Sequence, residues 1–312
     1  MIFPSDFRPL SEFELQKYLV RIKLDQANLS QPTLKTLNAV LGGHAKHIPW
    51  ENSTLFFLHK PIELDVGAIF EALVMKKRGT YCYGNNILLY SALTALGFKC
   101  TTGIARLLRW DEIRGGHEAA HSLHMIVFVA VAFDEGRAEY LADMDFNRVS
   151  VALRIADGEH VSCAAGEVFE LRKSREFAAE SESAAEFSLW YQRAGTATPK
   201  AFYSFTLDHM RAKDYEVINY FVGNNREQEL HQVFLVSRDS ESNGRVVLIN
   251  TKLVRKEAVP EFAHLEKAVH IASVEDLVAA LEGEFGIALS TQEQEAAATL
   301  LFSKLQQPIE NE

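Results

Sequence analysis

The stretch Arg78-Gly79-Thr80-Tyr81-Cys82-Tyr83-Gly84-Asn85-Asn86 begins the part of the chain whose reading decides the rest. A tight polar entry is followed by Leu88, Leu89, Ala92, Leu93 and Leu96 on one helical face, and Gly97 supplies a stop. Cys82 is therefore expected at or just inside the N-terminus of a buried helix. The positive end of a helix lowers a thiol below its free pKa of about 8.5, which makes Cys82 a candidate nucleophile. A small buried side chain explains the same placement equally simply.

Working outward, Leu15, Tyr18, Leu19 and Ile22 upstream fall on a 3.6-residue stripe, as do Leu34, Leu37, Val40 and Leu41. The first hundred residues thus read as helices. From Thr101 the pattern changes to β-type runs: Gly103 to Leu108, Ser122 to Phe133, Glu139 to Asp143 and Arg148 to Arg154. Asp134-Glu135-Gly136-Arg137 reads as a hairpin turn, and Lys173 to Lys200 as an exposed, partly helical excursion. Asp214 to Phe221 reads as a helix. Gln232 to Ser237 and Arg245 to Thr251 form a second hairpin about Ser242-Asn243-Gly244, and Ser273-Val274-Glu275-Asp276 caps a last helix.

At 312 residues the chain is long enough for a sizeable core. Its 47% hydrophobic and 24% charged residues are globular values, which excludes disorder or coiled coil for the bulk of it. A net charge of −10 repels phosphate backbones, so nucleic acid is not an expected partner. The three cysteines, Cys82, Cys100 and Cys163, are too scattered for a disulfide framework or a zinc ribbon. No run reaches the ~18–20 apolar residues of a membrane span, and Met1 to Leu10 lacks the order of a secretory signal. A cytoplasmic protein with no membrane partner is expected.

A thiol nucleophile needs a base, and the base needs a group that orients it. His124 stands in an apolar run between Leu123 and Met125, a costly place for an imidazole without a partner, and Asp143 ends the neighbouring run. Direct opposition of the two requires a hairpin centred between Phe133 and Asp134. A turn centred on Glu135 pairs Asp143 with Val127, on the other face. A bulge or an off-centre turn is therefore expected. By spacing alone, a core histidine and a turn-forming aspartate account for the same residues.

The Cys82 segment, continued through Ile87 to Phe98, resembles the active-cysteine segment of arylamine N-acetyltransferases, R-G-G-x-C-x-(E/Q)-x-N followed by an amphipathic helix and Gly-Phe. Ile48-Pro49-Trp50-Glu51-Asn52 resembles that family's P-F-E-N motif, and Ser122-Leu123-His124-Met125 its histidine strand. Tyr140-Leu141-Ala142-Asp143-Met144-Asp145-Phe146 resembles (Y/W)-(L/I)-(V/A)-D-V-G-F, and Tyr203 to Leu207 with Asp214 to Asn219 resemble the segment before the third domain. The likeness runs from about residue 10 to about residue 290.

The resemblance implies an α+β multidomain fold. A helical bundle (1–100) carries the cysteine, an antiparallel β-barrel (101–207) the histidine and aspartate, and an interdomain helix and α/β lid (208–312) follow. It implies acyl transfer by a ping-pong route from acyl-CoA to an arylamine or hydrazine, through a thioester on Cys82, with His124 as base and Asp143 as its orienting group. Trp50, Phe146 and Arg148 match positions lining the acceptor pocket, and Phe221 and Arg226 are the candidates for coenzyme A contacts. No permanently bound cofactor and no metal are implied, and acyl-CoA is a co-substrate. Arg78 and Arg148 are the candidate cations for a malonyl donor.

The chain departs from the family pattern at Thr80 (for Gly), at Gly84 (for Glu or Gln) and at Asp145 (for Gly). The Ser/Pro-rich turn that cradles coenzyme A is replaced by Gly223-Asn224-Asn225-Arg226. These departures motivate an alternative, a catalytically silent acetyltransferase-like protein that binds aromatic ligands or coenzyme A. A further rival is the literal H-E-x-x-H string at His117 to His121, which as a zinc hydrolase motif needs a helix where the residues around it indicate a loop and a strand.

Overall fold

The computed structural model describes residues 6–29, 31–111, 116–133, 136–145, 149–173, 186–193, 196, 198–257 and 265–302. The chain begins with helices. In α1 (Glu12–Arg21), Ser11 and Glu14 cap each other reciprocally, and Leu15, Tyr18 and Leu19 are buried. Thr33 caps α2 (Leu34–His47), which buries Leu37, Val40 and Leu41. Short α3 (Ser53–Leu58) and α4 (Val66–Phe70) follow. Then α5 (Cys82–Ala95) starts on the cysteine and is buried on every side from Cys82 to Leu93, rather than along one stripe. Gly97, with φ of +88°, turns the chain out of α5 in the left-handed region that glycine enters without strain.

Eight strands form one antiparallel sheet in the order β5-β4-β3-β2-β9-β8-β7-β6. They are β2 (Lys99–Asp111), β3 (Gly116–Phe133), β4 (Gly136–Asp143), β5 (Val149–Arg154), β6 (His160–Ser162), β7 (Val168–Lys173), β8 (Phe187–Gln192) and β9 (Lys200–Phe205). The sheet is barrel-like and nearly closed, with β5 and β6 as its end strands. β3 shows why α5 and the barrel meet. Its Met125, Val127, Val129 and Val131 join the core around α5, while Ile126 and Phe128 join the barrel core with Leu141, Tyr203 and Phe205.

A second sheet has the order β1-β10-β11-β12-β13. Its strands are β1 (Trp50–Glu51), β10 (Leu235–Asp239), β11 (Arg245–Ile249), β12 (Lys252–Glu257) and β13 (Leu265–His270). The edge strand β1 therefore comes from the first hundred residues, with Trp50 opposite Ser237. Phe56 and Phe57 of α3 pack with Phe234 and Leu248 and with Leu277 of α8 (Val274–Ala280), in a core that also takes in Ala297 of α9 (Thr291–Ala297). Between the two sheets run α6 (Ala212–Asn224) and the single turn α7 (Glu229–Gln232). Among the described residues no helix is long and apolar enough to cross a membrane.

Several expectations are corrected. The end of the 173–200 excursion is strand β8, with Phe187 and Leu189 in the barrel core, because its apolar residues alternate with period two. Gln232 belongs to α7, not to the hairpin strand. The H-E-x-x-H string lies within β3, where a four-residue spacing separates the two backbones by roughly 13 Å at ~3.3 Å per residue.

Candidate active site

Cys82 is the first residue of α5, and Tyr81 at the cap position makes no side-chain hydrogen bond to the helix. Asn86 follows one turn later on the same face. Its Nδ2 donates to the Met125 carbonyl (2.7 Å) and to Asp143 Oδ1 (3.0 Å), and its Oδ1 accepts from the Met144 N–H (2.9 Å). One amide thus ties α5 to both β3 and β4.

The register explains how His124 and Asp143 meet. Phe133 pairs with Gly136 and Val127 with Ala142, with no irregularity between them. One further step sets Asp143 beside Ile126, so His124 is its diagonal neighbour on the same face. Diagonal pairs remain within reach of long side chains. The hairpin is centred one residue past the position direct opposition needs, and no bulge in this ladder is required. A bulge does occur on the other side of β3: Ala105 pairs with His124 and Arg106 with Ser122, which leaves Leu123 unmatched.

His124 Nε2 lies 2.8 Å from Asp143 Oδ2, and both residues are buried. Tyr203 donates its hydroxyl to the same oxygen at 2.9 Å, and the Asp145 N–H donates to Oδ1 at 3.0 Å. With Asn86, four donors converge on one carboxylate. Cys82 and His124 line the same cavity, and with Nε2 committed to Asp143, Nδ1 is the ring nitrogen left to interact with the thiol.

Burial opposes the charge on the His124 ring, but the carboxylates of Asp143 and Asp145 and the bonds to Asp143 and Cys82 carry it well above an ordinary histidine. Cys82 differs from expectation. Burial pushes its thiol up, the His124 bond and charge pull it down, Asp145 raises it again, and the net direction is upward. The helix end alone does not set this thiol. Tyr203 is pushed well up by burial and by Asp143, so its phenol stays protonated and remains a donor.

Cys82 and His124 open into a narrow cavity of about 100 Å³. Trp50, Tyr81 and Tyr83 supply aromatic walls, Leu107, Leu123, Val222, Leu230, Val233 and Leu235 aliphatic ones, and Asp145, Gln228 and Glu229 polar groups. Trp50 lines this cavity. Phe146 and Arg148 lie outside the described residues. Phe221 is half-buried, its ring 5.3 Å from that of His121, and Arg226 is exposed. Neither lines the cavity, whose wall is taken from the neighbouring Val222 and from Gln228 to Leu230.

Arg78 does not serve the cavity either. Its guanidinium is held by Glu51 (3.2 Å), Glu293 (2.8 Å) and Ser53 (2.6 Å), joining the cysteine segment to α9. The departures at Thr80 and Gly84 are in contact. A Cβ on Gly84 would stand 2.5 Å from Thr80 Cγ2, so Thr80 occupies the room that any side chain at 84 would need. Asn86, Tyr203 and Tyr83 are the site residues that sequence reasoning left without a role. Asn86 had a signal, its one-turn spacing from Cys82; Tyr203 had none.

Residues 33–294 match the N-acetyltransferase family. An arylamine N-acetyltransferase of Mycolicibacterium smegmatis is 35% identical over 133 residues, 43% of this chain and 46% of that relative, so the alignment spans under half the relative's length. The N-malonyltransferase FDB2 of Gibberella moniliformis is 25% identical over 90% of both chains. The fold matches that of the Mycobacterium marinum arylamine N-acetyltransferase solved in complex with CoA, with a TM-score of 0.75 and 20% identity over 92% of this chain and 100% of that one. The chain belongs to the arylamine N-acetyltransferase family of acyltransferases.

Proposed function

We propose that the protein moves a short acyl group from acyl-CoA to an arylamine or hydrazine nitrogen in two half-reactions through a thioester on Cys82. The observation that carries this reading is the buried His124–Asp143 hydrogen bond beside Cys82 at the wall of one largely apolar cavity.

In the first half-reaction His124 Nδ1 takes the thiol proton and the sulfur attacks the thioester carbonyl. As the tetrahedral adduct collapses, the coenzyme A sulfur leaves and receives that proton from the imidazolium. In the second, the amine nitrogen attacks the Cys82 thioester, His124 takes a proton from nitrogen, and the Cys82 sulfur leaves and is reprotonated. Asp143 keeps Nε2–H directed away from the sulfur and balances the imidazolium in both steps. A strongly basic His124 favours proton transfer from a thiol that burial has made reluctant. Trp50, Tyr81 and Tyr83 offer flat faces to an aromatic amine. Cys82 is a free thiol, as a thioester carrier requires.

Incubation with acetyl-CoA and no amine should add one acetyl mass to the Cys82 peptide, and an arylamine should remove it. Turnover that survives Cys82→Ala, or intersecting rather than parallel initial-rate lines, overturns the two-step scheme.

A further inference from the structure

Two residues of β3 that flank His124 are each bonded to the start of α5. The Leu123 carbonyl accepts the Tyr83 hydroxyl and the Met125 carbonyl accepts from Asn86 Nδ2, while His124 itself lines the cavity beside Cys82. The first of these contacts has no part in the acyl-transfer scheme, yet it falls on the bulged residue. Leu123 is left out of the β2 register immediately before His124. A bulge is where a strand re-aims the side chain beside it, and its unpaired backbone groups need partners. The Tyr83 hydroxyl supplies one from the helix that carries the sulfur.

We propose that Tyr83 is a positioning residue: its hydroxyl pins the Leu123 bulge and so holds the His124 ring in line with the Cys82 sulfur. The inference rests on the acyl-transfer reading for its kinetic consequence only. The Tyr83 ring has a separate packing role, edge-on to Tyr81 with centroids 5.7 Å apart and beside Tyr215 at 6.1 Å. Burial and the neighbouring Cys82 push the phenol well above its ordinary pKa, so it stays a donor wherever the enzyme is stable. The hydroxyl and the ring can therefore be separated by one atom.

The test is Tyr83→Phe, which keeps the ring, with Tyr83→Leu, which loses both. For Tyr83→Phe we expect acylation by acetyl-CoA to slow about tenfold, the scale of one lost hydrogen bond at a site that needs alignment. The amine KM should hold within twofold, because the ring still lines the cavity. The pH midpoint for iodoacetamide alkylation of Cys82 should rise by roughly half a unit or more, as the imidazole drifts from the sulfur. Tyr83→Leu should add a loss of thermal stability and a higher amine KM. A Tyr83→Phe enzyme with wild-type acylation rate and alkylation profile overturns the proposal, as does one that only melts earlier. If wild-type protein takes no acetyl group, the acyl-transfer reading fails, while the alkylation midpoint still reports whether the hydroxyl positions His124.

Discussion

Asp143→Asn should remove the base without removing the fold, and the geometry says how. The Oδ1 position receives two donors that cannot reverse: the Asp145 backbone N–H, and the Asn86 amide, itself held by the Met144 N–H and the Met125 carbonyl. The single oxygen of an asparagine must therefore sit there. Its NH₂ then faces His124 Nε2 and the Tyr203 hydroxyl, where the wild-type carboxylate accepts from both. The hydroxyl can rotate and accept. The imidazole must instead present a lone pair at Nε2, which moves its proton to Nδ1, toward Cys82. In that tautomer no base faces the thiol. The productive tautomer would set two buried donors against each other, each left unsatisfied at about 1–3 kcal/mol. At about 1.4 kcal/mol per decade, the combined cost of about 2–6 kcal/mol slows acylation by roughly 30-fold to 10⁴-fold. Single-turnover release of coenzyme A from acetyl-CoA measures the rate, and alkylation of Cys82 against pH should show its midpoint displaced upward. Because the substitution also removes a buried charge, the melting temperature should change little. Acylation within tenfold of wild type would falsify this account of the hydrogen-bond directions.

Three further outcomes are expected. Gly84→Gln should cost about 1–3 kcal/mol of stability by driving a Cβ into Thr80, and Thr80→Gly should recover at least half of it in the double variant; strictly additive unfolding free energies would show the two positions to be independent. Asp145→Asn removes a charge that raises both Cys82 and His124, so the alkylation midpoint of Cys82 should move to lower pH; no movement, or a rise, contradicts that coupling. His44 is buried between Tyr18 and Asn85, and burial depresses its pKa to about 3. The unfolded chain therefore binds a proton that the folded one refuses, and stability present above about pH 6.5 is lost as the pH falls toward 3, by up to about 1.4 kcal/mol per pH unit. Denaturant midpoints between pH 7 and pH 4 should show this slope, and His44→Gln should flatten it.

Much of the path to the site was legible in one dimension. The polar entry before Cys82 and the apolar repeat after it placed a helix start on the sulfur, and Gly97 marked where that helix stops, because both are properties of a few neighbouring residues. The apolar run of β3 marked His124 as an imidazole in an apolar strand. The arithmetic of the hairpin came close: it asked for a bulge or an off-centre turn to bring the pair into opposition, whereas a diagonal neighbour sufficed. Strand β8 went unseen because its alternation is short and follows an Ala/Ser/Glu-rich run. Thr80 and Gly84 read as two separate departures from a motif, and only the fold shows that they touch.

What the sequence determined by itself was local: which residue begins α5, which residues form the apolar run of β3, and that a cysteine, a histidine and an aspartate follow in order. What tertiary structure alone decided was the company each keeps. Tyr203 reaches Asp143 from 60 residues away, and Tyr83 reaches the Leu123 carbonyl from 40. The direction of the Cys82 thiol likewise depends on how deeply it is buried. Helical and strand periodicity follow from bonds between near neighbours, but desolvation and convergent hydrogen bonding depend on everything packed around a group, and no window along the chain contains that.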